Sequence, residues 1–248
     1  MLFIDVGNTA LKWRWVDAGG VRQGDSVHHR DWASLPALMD VEWQRLSRIE
    51  VASVAGREAD AALAAVLRSV SPVEPRFYYS RNCDAGVVNA YSEPERLGVD
   101  RWLAVIEGWN RYGPVLIVDC GSALTLDAVD KDGMHKGGYI VPGLGMLERS
   151  LVQGTGSVRV DFVGVDDSTA PGRSTSEGVR RGVLRMTVAF ITDAVVALRE
   201  GLPDTAPVLL TGGDAERVAR LLTFPVKLAP DLVLDGLERV TATDTGVY

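Results

Sequence analysis

An apolar run that ends on an aspartate and turns at once on a glycine occurs twice in this 248-residue chain. The first copy is "LFIDV" followed by Gly7, Asn8 and Thr9. The second is "VLIVDC" followed by Gly121 and Ser122. Setting Asp5 on Asp119 also sets Leu2 on Leu116 and Gly7 on Gly121, and an apolar second strand follows in both. Aspartate and glycine are ordinary turn residues, so either copy alone reads as a plain β-hairpin. Two copies heading successive halves of similar order point instead to duplicated domains.

The composition of the turns suggests a chemistry. Glycine lets backbone N–H groups approach an anion, and Asn8, Thr9 and Ser122 add short hydrogen-bonding side chains. A carboxylate at the strand end would repel phosphate unless a cation lay between them. Asp5 therefore reads as a Mg²⁺ or water-positioning ligand beside a phosphate-cradling turn. Lys12 adds a point charge just after it. No GxxxxGK[ST] loop and no GxGxxG after a strand is present, which removes the P-loop and dinucleotide fingerprints. A third glycine turn, "LLTGGD", offers Gly212 and Gly213 to an adenine or ribose, although it reads equally as a helix start capped by Asp214.

Composition closes off other classes. A net charge of −7 argues against nucleic acid and anionic membrane as partners. No apolar run reaches the ~20 residues of a membrane span, and the start lacks the pattern of a signal peptide. Cys83 and Cys120 are the only cysteines, read as free, mostly buried thiols in a reducing cytoplasm. His28, His29 and His135 form no zinc spacing.

Strand and helix patterns alternate along the chain. "RIEVASVAG" and "RFYYS" read as strands, and "READAALAAVLRSV" and "DRWLAVIEGWNRY" as helices. "NCDAGVVNAYSEPERLG" shows no period and reads as a long functional loop. The strand pattern restarts after Gly113-Pro114, which sets expected domains at 1–113 and 114–248. "LGMLERSLVQG" reads as a helix, and "TSEGVRRGVLRMTVAFITDAVVALREG" as the longest one. It carries more apolar residues than one core-facing stripe needs, so a second face, assigned Ala194, is expected to meet another subunit. Trp13, Trp15, Trp102 and Trp109 read as core or interface packing.

Taken together, "DVGNTALK" from Asp5, "NAY" from Asn89, "GVDRW" from Gly98, "DCGSALT" from Asp119, "GGYIVPG" from Gly137, "RSTSEGVRRG" around Thr175 and "LLTGGD" resemble the type III pantothenate kinases. These belong to the superfamily of acetate and sugar kinases, heat-shock chaperones and actin. The resemblance implies an α/β fold of two related actin/hexokinase-like (ribonuclease H-like) domains with a central nucleotide cleft. It implies ATP-dependent phosphorylation of the primary hydroxyl of pantothenate, the first step toward coenzyme A, by a homodimer using Mg²⁺ and potassium or ammonium. ATP would lie on Asp5, Val6, Gly7, Asn8, Thr9, Ala10, Leu11 and Lys12, with Ser122 where the family usually has threonine. Pantothenate would meet Tyr91, Gly98, Val99, Asp100, Arg101 and Thr175, with Asp100 as proton acceptor. Asp119 would hold the monovalent cation. On the residues alone, Asp100 also reads as a helix N-cap and Arg101 as a solvated arginine. Two alternatives stand beside the kinase: a non-enzymatic transcriptional accessory factor on the same fold, and an ATPase or sugar kinase of the superfamily.

Overall fold

The computed structural model describes residues 1–24, 27–28, 32–154 and 159–243. It divides into two units, Met1–Glu107 with Asp231–Tyr248, and Gly108–Pro230.

In the first unit, strands β1 (Leu2–Val6), β2 (Ala10–Asp17), β3 (Gly20–Gln23), β4 (Val27–His28), β5 (Ile49–Ser53) and β6 (Pro75–Tyr78) form one sheet in the order β3-β2-β1-β5-β6, with β4 beside β2. The β1–β2 pair is antiparallel, whereas β1–β5 and β5–β6 are parallel. Strand β5 is buried along most of its length because it pairs on both sides and is covered by helices. Helices α1 (Leu35–Leu38) and α2 (Arg57–Val70) flank this sheet. Alanine and leucine at helical spacing put Leu63, Ala64 and Leu67 on the core face of α2. The core gathers Leu2, Ile4, Trp13, Trp15, Val51, Leu63 and Leu67.

The stretch read as an aperiodic loop contains a small antiparallel hairpin, β7 (Cys83–Asp84) with β8 (Val87–Val88), and a 3-10 turn at Pro94–Arg96. Ala85 at φ 45° and Gly86 at φ 87° make its turn. Helix α3 (Val99–Tyr112) follows and stops where Gly113 adopts φ 69°, a left-handed cap followed by proline. The unit division falls inside this helix.

The second unit repeats the sheet. Strands β9 (Val115–Cys120), β10 (Ala123–Val129), β11 (His135–Pro142), β12 (Val208–Thr211) and β13 (Lys227–Leu228) lie in the order β11-β10-β9-β12-β13. Again the first pair is antiparallel and the next two are parallel. Helices α4 (Leu144–Gly154), α5 (Thr175–Leu198) and α6 (Ala215–Ala219) belong here. A capping arrangement starts α5: the Ser174 hydroxyl accepts from Glu177 N at 3.2 Å, and Arg173 N donates to the Glu177 carboxylate at 2.6 Å. One face of α5 enters the core through Val183, Leu184, Ile191, Ala194 and Val195.

Two expectations change. Ala194 is 3% exposed in that core, not on an outer face. The outward apolar residues are Met186 and Val196, 50% and 70% exposed. Cys83 is exposed, and only Cys120 is buried.

A last helix, α7 (Leu232–Thr243), packs with the first unit, against β1, β2 and β5. Arg14 holds it, with Nη1 2.6 Å from Asp235 and 3.0 Å from Glu238. The expected domain 114–248 includes α7, whereas the structure groups it with Met1–Glu107.

Candidate active site

Within the first unit the Asp5–Lys12 segment is a tight connection between β1 and β2. Gly7 N donates to Ala10 O at 3.0 Å, and Asn8 and Thr9 are exposed at the tip. Asp5 and Lys12 are cross-strand partners, so they lie side by side on one face of the sheet. Leu11 and Val6, also expected at this site, are buried and anchor the turn from below. Val6 O accepts from Val54 N at 3.0 Å, which ties the end of β5 to the turn.

Asp100 stands at the same edge. A Cβ placed on Gly98 would collide with Asp100 Oδ1 and would lie 3.8 Å from Val54 Cγ1. A side chain at Gly98 would therefore displace the Asp100 carboxylate. Asp100 is in the first turn of α3, not at its cap: Trp102 N already bonds to Gly98 O at 3.0 Å. Its Oδ1 accepts from Arg101 N at 2.7 Å.

Arg101 is not a solvated surface arginine. It is 6% exposed, and its Nη1 donates to the Tyr91 hydroxyl at 3.0 Å. Gly98, Asp100, Arg101 and Tyr91 are thus brought together, and Val99 is buried beneath them. The sequence motifs "NAY" and "GVDRW" are two sides of one constellation.

In the second unit Asp119 sits near the end of β9, opposite Thr125 of β10 and Thr211 of β12. Two glycines press on its carboxylate. A Cβ on Gly121 would meet Asp119 Oδ1 at 3.2 Å, and one on Gly212, which has φ 89°, would collide with the same oxygen and with the Cys120 backbone. Gly143 allows no side chain either, because Gly121 O and Ser122 O already occupy that space; its N–H donates to Ser122 O at 3.1 Å. Gly121 and Gly212 thus leave room for the Asp119 carboxylate, and Gly143 leaves room for the carbonyls of the β9–β10 turn.

The two glycines of "LLTGGD" separate in role. Gly212 makes room for Asp119, whereas Gly213 has open space where its side chain would be. Asp214 is the N-cap residue of α6 with Glu216 in the first turn, as expected, although its side chain makes no capping bond. Its N–H donates to Cys120 O at 3.0 Å, locking this turn onto the β9 turn. Burial holds the Asp214 carboxyl above its ordinary value; Arg217 opposes that and Asp167 adds to it. Burial, with Asp119 and Asp214 nearby, likewise pushes the Cys120 thiol well up, so it is no nucleophile. Thr175 is exposed at the start of α5 and is not among these glycine turns.

Sequence reasoning passed over Gly143, whose signal was its place at the end of "GGYIVPG", and Asn89, whose signal was its place in "NAY". Among the described residues, no group of three or more His, Cys, Asp or Glu side chains is gathered to hold a metal ion.

The type III pantothenate kinase family model matches residues 1–197. The chain belongs to the type III pantothenate kinases. A Type III pantothenate kinase of Alcanivorax borkumensis is 53% identical over 243 residues, covering 98% of each chain. Among solved structures, a Campylobacter jejuni protein assigned to the Baf family of transcriptional activators aligns over 100% of both chains at 17% identity and a TM-score of 0.61. A candidate 2-dehydro-3-deoxygalactonokinase from Sinorhizobium meliloti aligns over 99% of both at 11% identity and a TM-score of 0.57. Those two likenesses speak for the fold, which is the two-sheet α/β arrangement of actin/hexokinase-like sugar kinases.

Proposed function

We propose that the protein transfers the γ-phosphoryl group of ATP to the primary hydroxyl of pantothenate, giving 4'-phosphopantothenate. The observation that carries the reading is the first-unit constellation: a carboxylate in the first turn of a helix, beside a buried arginine bonded to a tyrosine hydroxyl, at the edge of the sheet that bears the Asp5 turn. The accessory-factor alternative is not favoured, since this constellation is intact and the full-length relatives are named as kinases.

In this reading Asp100 accepts the hydroxyl proton as that oxygen attacks the γ-phosphorus and the bond to the β-phosphate oxygen breaks, releasing ADP. Arg101, with Tyr91, supplies positive charge and planar hydrogen bonding for the pantothenate carboxylate or the transferring phosphoryl group. Gly98 and Val99 shape the approach to Asp100, and Thr175 is assigned to substrate. Gly7 keeps the turn free of a side chain where ATP phosphates would approach, the N–H groups of Asn8 and Thr9 with Lys12 bind them, and Asp5 would hold the Mg²⁺ that accompanies them. Ser122 offers its hydroxyl to ATP.

Asp119 is assigned a potassium or ammonium ion. The Asp119 carboxylate and the Cys120 carbonyl, which both crowd the place a Gly212 side chain would take, are oxygen ligands suited to a monovalent cation. Such an ion would supply fixed positive charge. We further assign a homodimer, supported by the outward apolar residues of α5. The reaction is assigned to the cytoplasm; among the described residues no helix is long and apolar enough to cross a membrane.

The test is ATP consumption by purified protein with pantothenate, set against sugars, glycerol and acetate. Pantothenate alone should stimulate turnover, and Asp100→Asn should lower it by ~10²–10⁴-fold. Turnover of the variant within a few-fold of wild type would remove Asp100 from the role. Equal stimulation by a sugar would overturn the substrate.

A further inference from the structure

We infer that Asn89 is a positioning residue for the acceptor substrate, acting through Tyr91 and touching neither reactant itself. The inference rests on the pantothenate kinase reading and adds to it a residue that the site assignments leave out.

Asn89 is a buried polar side chain, 6% exposed, in a segment with little regular structure. A buried amide costs stability unless its donors and acceptor are used. Here all are used, and on three separate stretches of chain. Nδ2 donates to Arg81 O at 3.1 Å and to Pro94 O at 3.3 Å, while Oδ1 accepts from Tyr91 N at 2.9 Å. Its own N–H donates to Asn82 O at 2.8 Å. One side chain thus joins the entry of the β7–β8 hairpin, the 3-10 turn and the residue that presents the Tyr91 ring. Ser80 closes the other side of the loop by donating to Leu97 O at 2.7 Å.

Oδ1 captures the Tyr91 amide directly. That bond sets where the Tyr91 backbone lies, and so where its hydroxyl meets Arg101 Nη1 at 3.0 Å. Aspartate is the closest substitute in shape. It keeps an oxygen for Tyr91 N but presents oxygen rather than N–H to two carbonyls, which repel it. Only an amide satisfies all three partners.

A residue that merely stabilised the unit would lower the amount of folded enzyme, and so the apparent kcat, and leave both KM values unchanged. A residue acting through Tyr91 moves the acceptor side alone. The experiment is a double-mutant cycle of Asn89→Ala and Tyr91→Phe in the full chain, with KM for pantothenate and for ATP, kcat, and a thermal melt for each variant. Asn89→Ala should raise the pantothenate KM about tenfold or more while the ATP KM stays within about twofold, since small misplacements of a positioning group carry such penalties. In the Tyr91→Phe background the same substitution should add less than about twofold, because the shared path is already broken. Asn89→Asp should fall between wild type and Asn89→Ala, and it carries the same cycle if the alanine variant does not fold. Additive effects, or equal rises in both KM values, would overturn the inference while leaving the kinase reading intact. A folded wild type that ignores pantothenate would sink the kinase reading first, and this inference with it.

Discussion

Asp5 and Asp119 occupy matching places in two hairpins, yet their neighbours differ. Asp5 has Lys12 across the strand pair, while Asp119 has threonines on both sides and glycines pressed against its carboxylate. Asp5→Asn should therefore raise the Mg²⁺ and ATP needed for half-maximal rate, and Asp119→Asn should chiefly change the response to potassium or ammonium. Parallel titrations of both variants check this, and identical responses would end the distinction. Asp214 gives a stability prediction. Its carboxyl is raised from an ordinary value of 3.8, first by burial, so the native state keeps the proton to higher pH than the unfolded chain does. The stabilisation is then full below the ordinary value and is lost as pH rises through the raised one. Asp214→Asn should melt above wild type near pH 7, and the gap should shrink toward about pH 4. A wild type that is the more stable at neutral pH would mean that Arg217 and Arg180 outweigh burial.

Helices show how local preference yields to packing. In α7, Gly236 lies where a Cβ would collide with Leu103 O of α3. Helix propensity favours alanine there by about 1 kcal/mol, but overpacking costs about 1–3 kcal/mol. Gly236→Ala should thus lower the melting temperature, and a rise would show that the helices separate freely at that point. The starts of α2, α4 and α5 were legible because apolar spacing is a local signal, joined at α5 by the Ser174 cap. The segment from Asn82 to Gly98 was not. Its order comes from Asn89 and Ser80 bonding to distant carbonyls, which leaves no period in the sequence.

At the scale of the whole molecule the duplication read from two short turns extends to entire sheets, with the same order and the same sense of pairing in each unit. The outward residues of α5 bear on assembly. Thr169, Arg185, Val188, Ala189 and Val196 line a groove of about 500 Å³ along that helix. Val196→Glu places a charge there without entering the core, so it should shift a homodimer toward monomer and lower activity with it. Light scattering of wild type and variant decides, and a fully active wild-type monomer would refute the dimer. Ala194→Glu, by contrast, would unfold the unit, because Ala194 packs inside it.

The sequence by itself determined the α/β class, the paired Asp-X-Gly turns and the motifs that place the chain in its family, because each is written in residues close together along the chain. Tertiary structure alone decided which of them touch. Tyr91 reaches Arg101, Gly212 yields its side-chain space to Asp119, and α7 returns to pack on β1. Each of these contacts joins segments that no local spacing relates. They form because burying a charge or a backbone group requires a partner, wherever in the chain that partner lies.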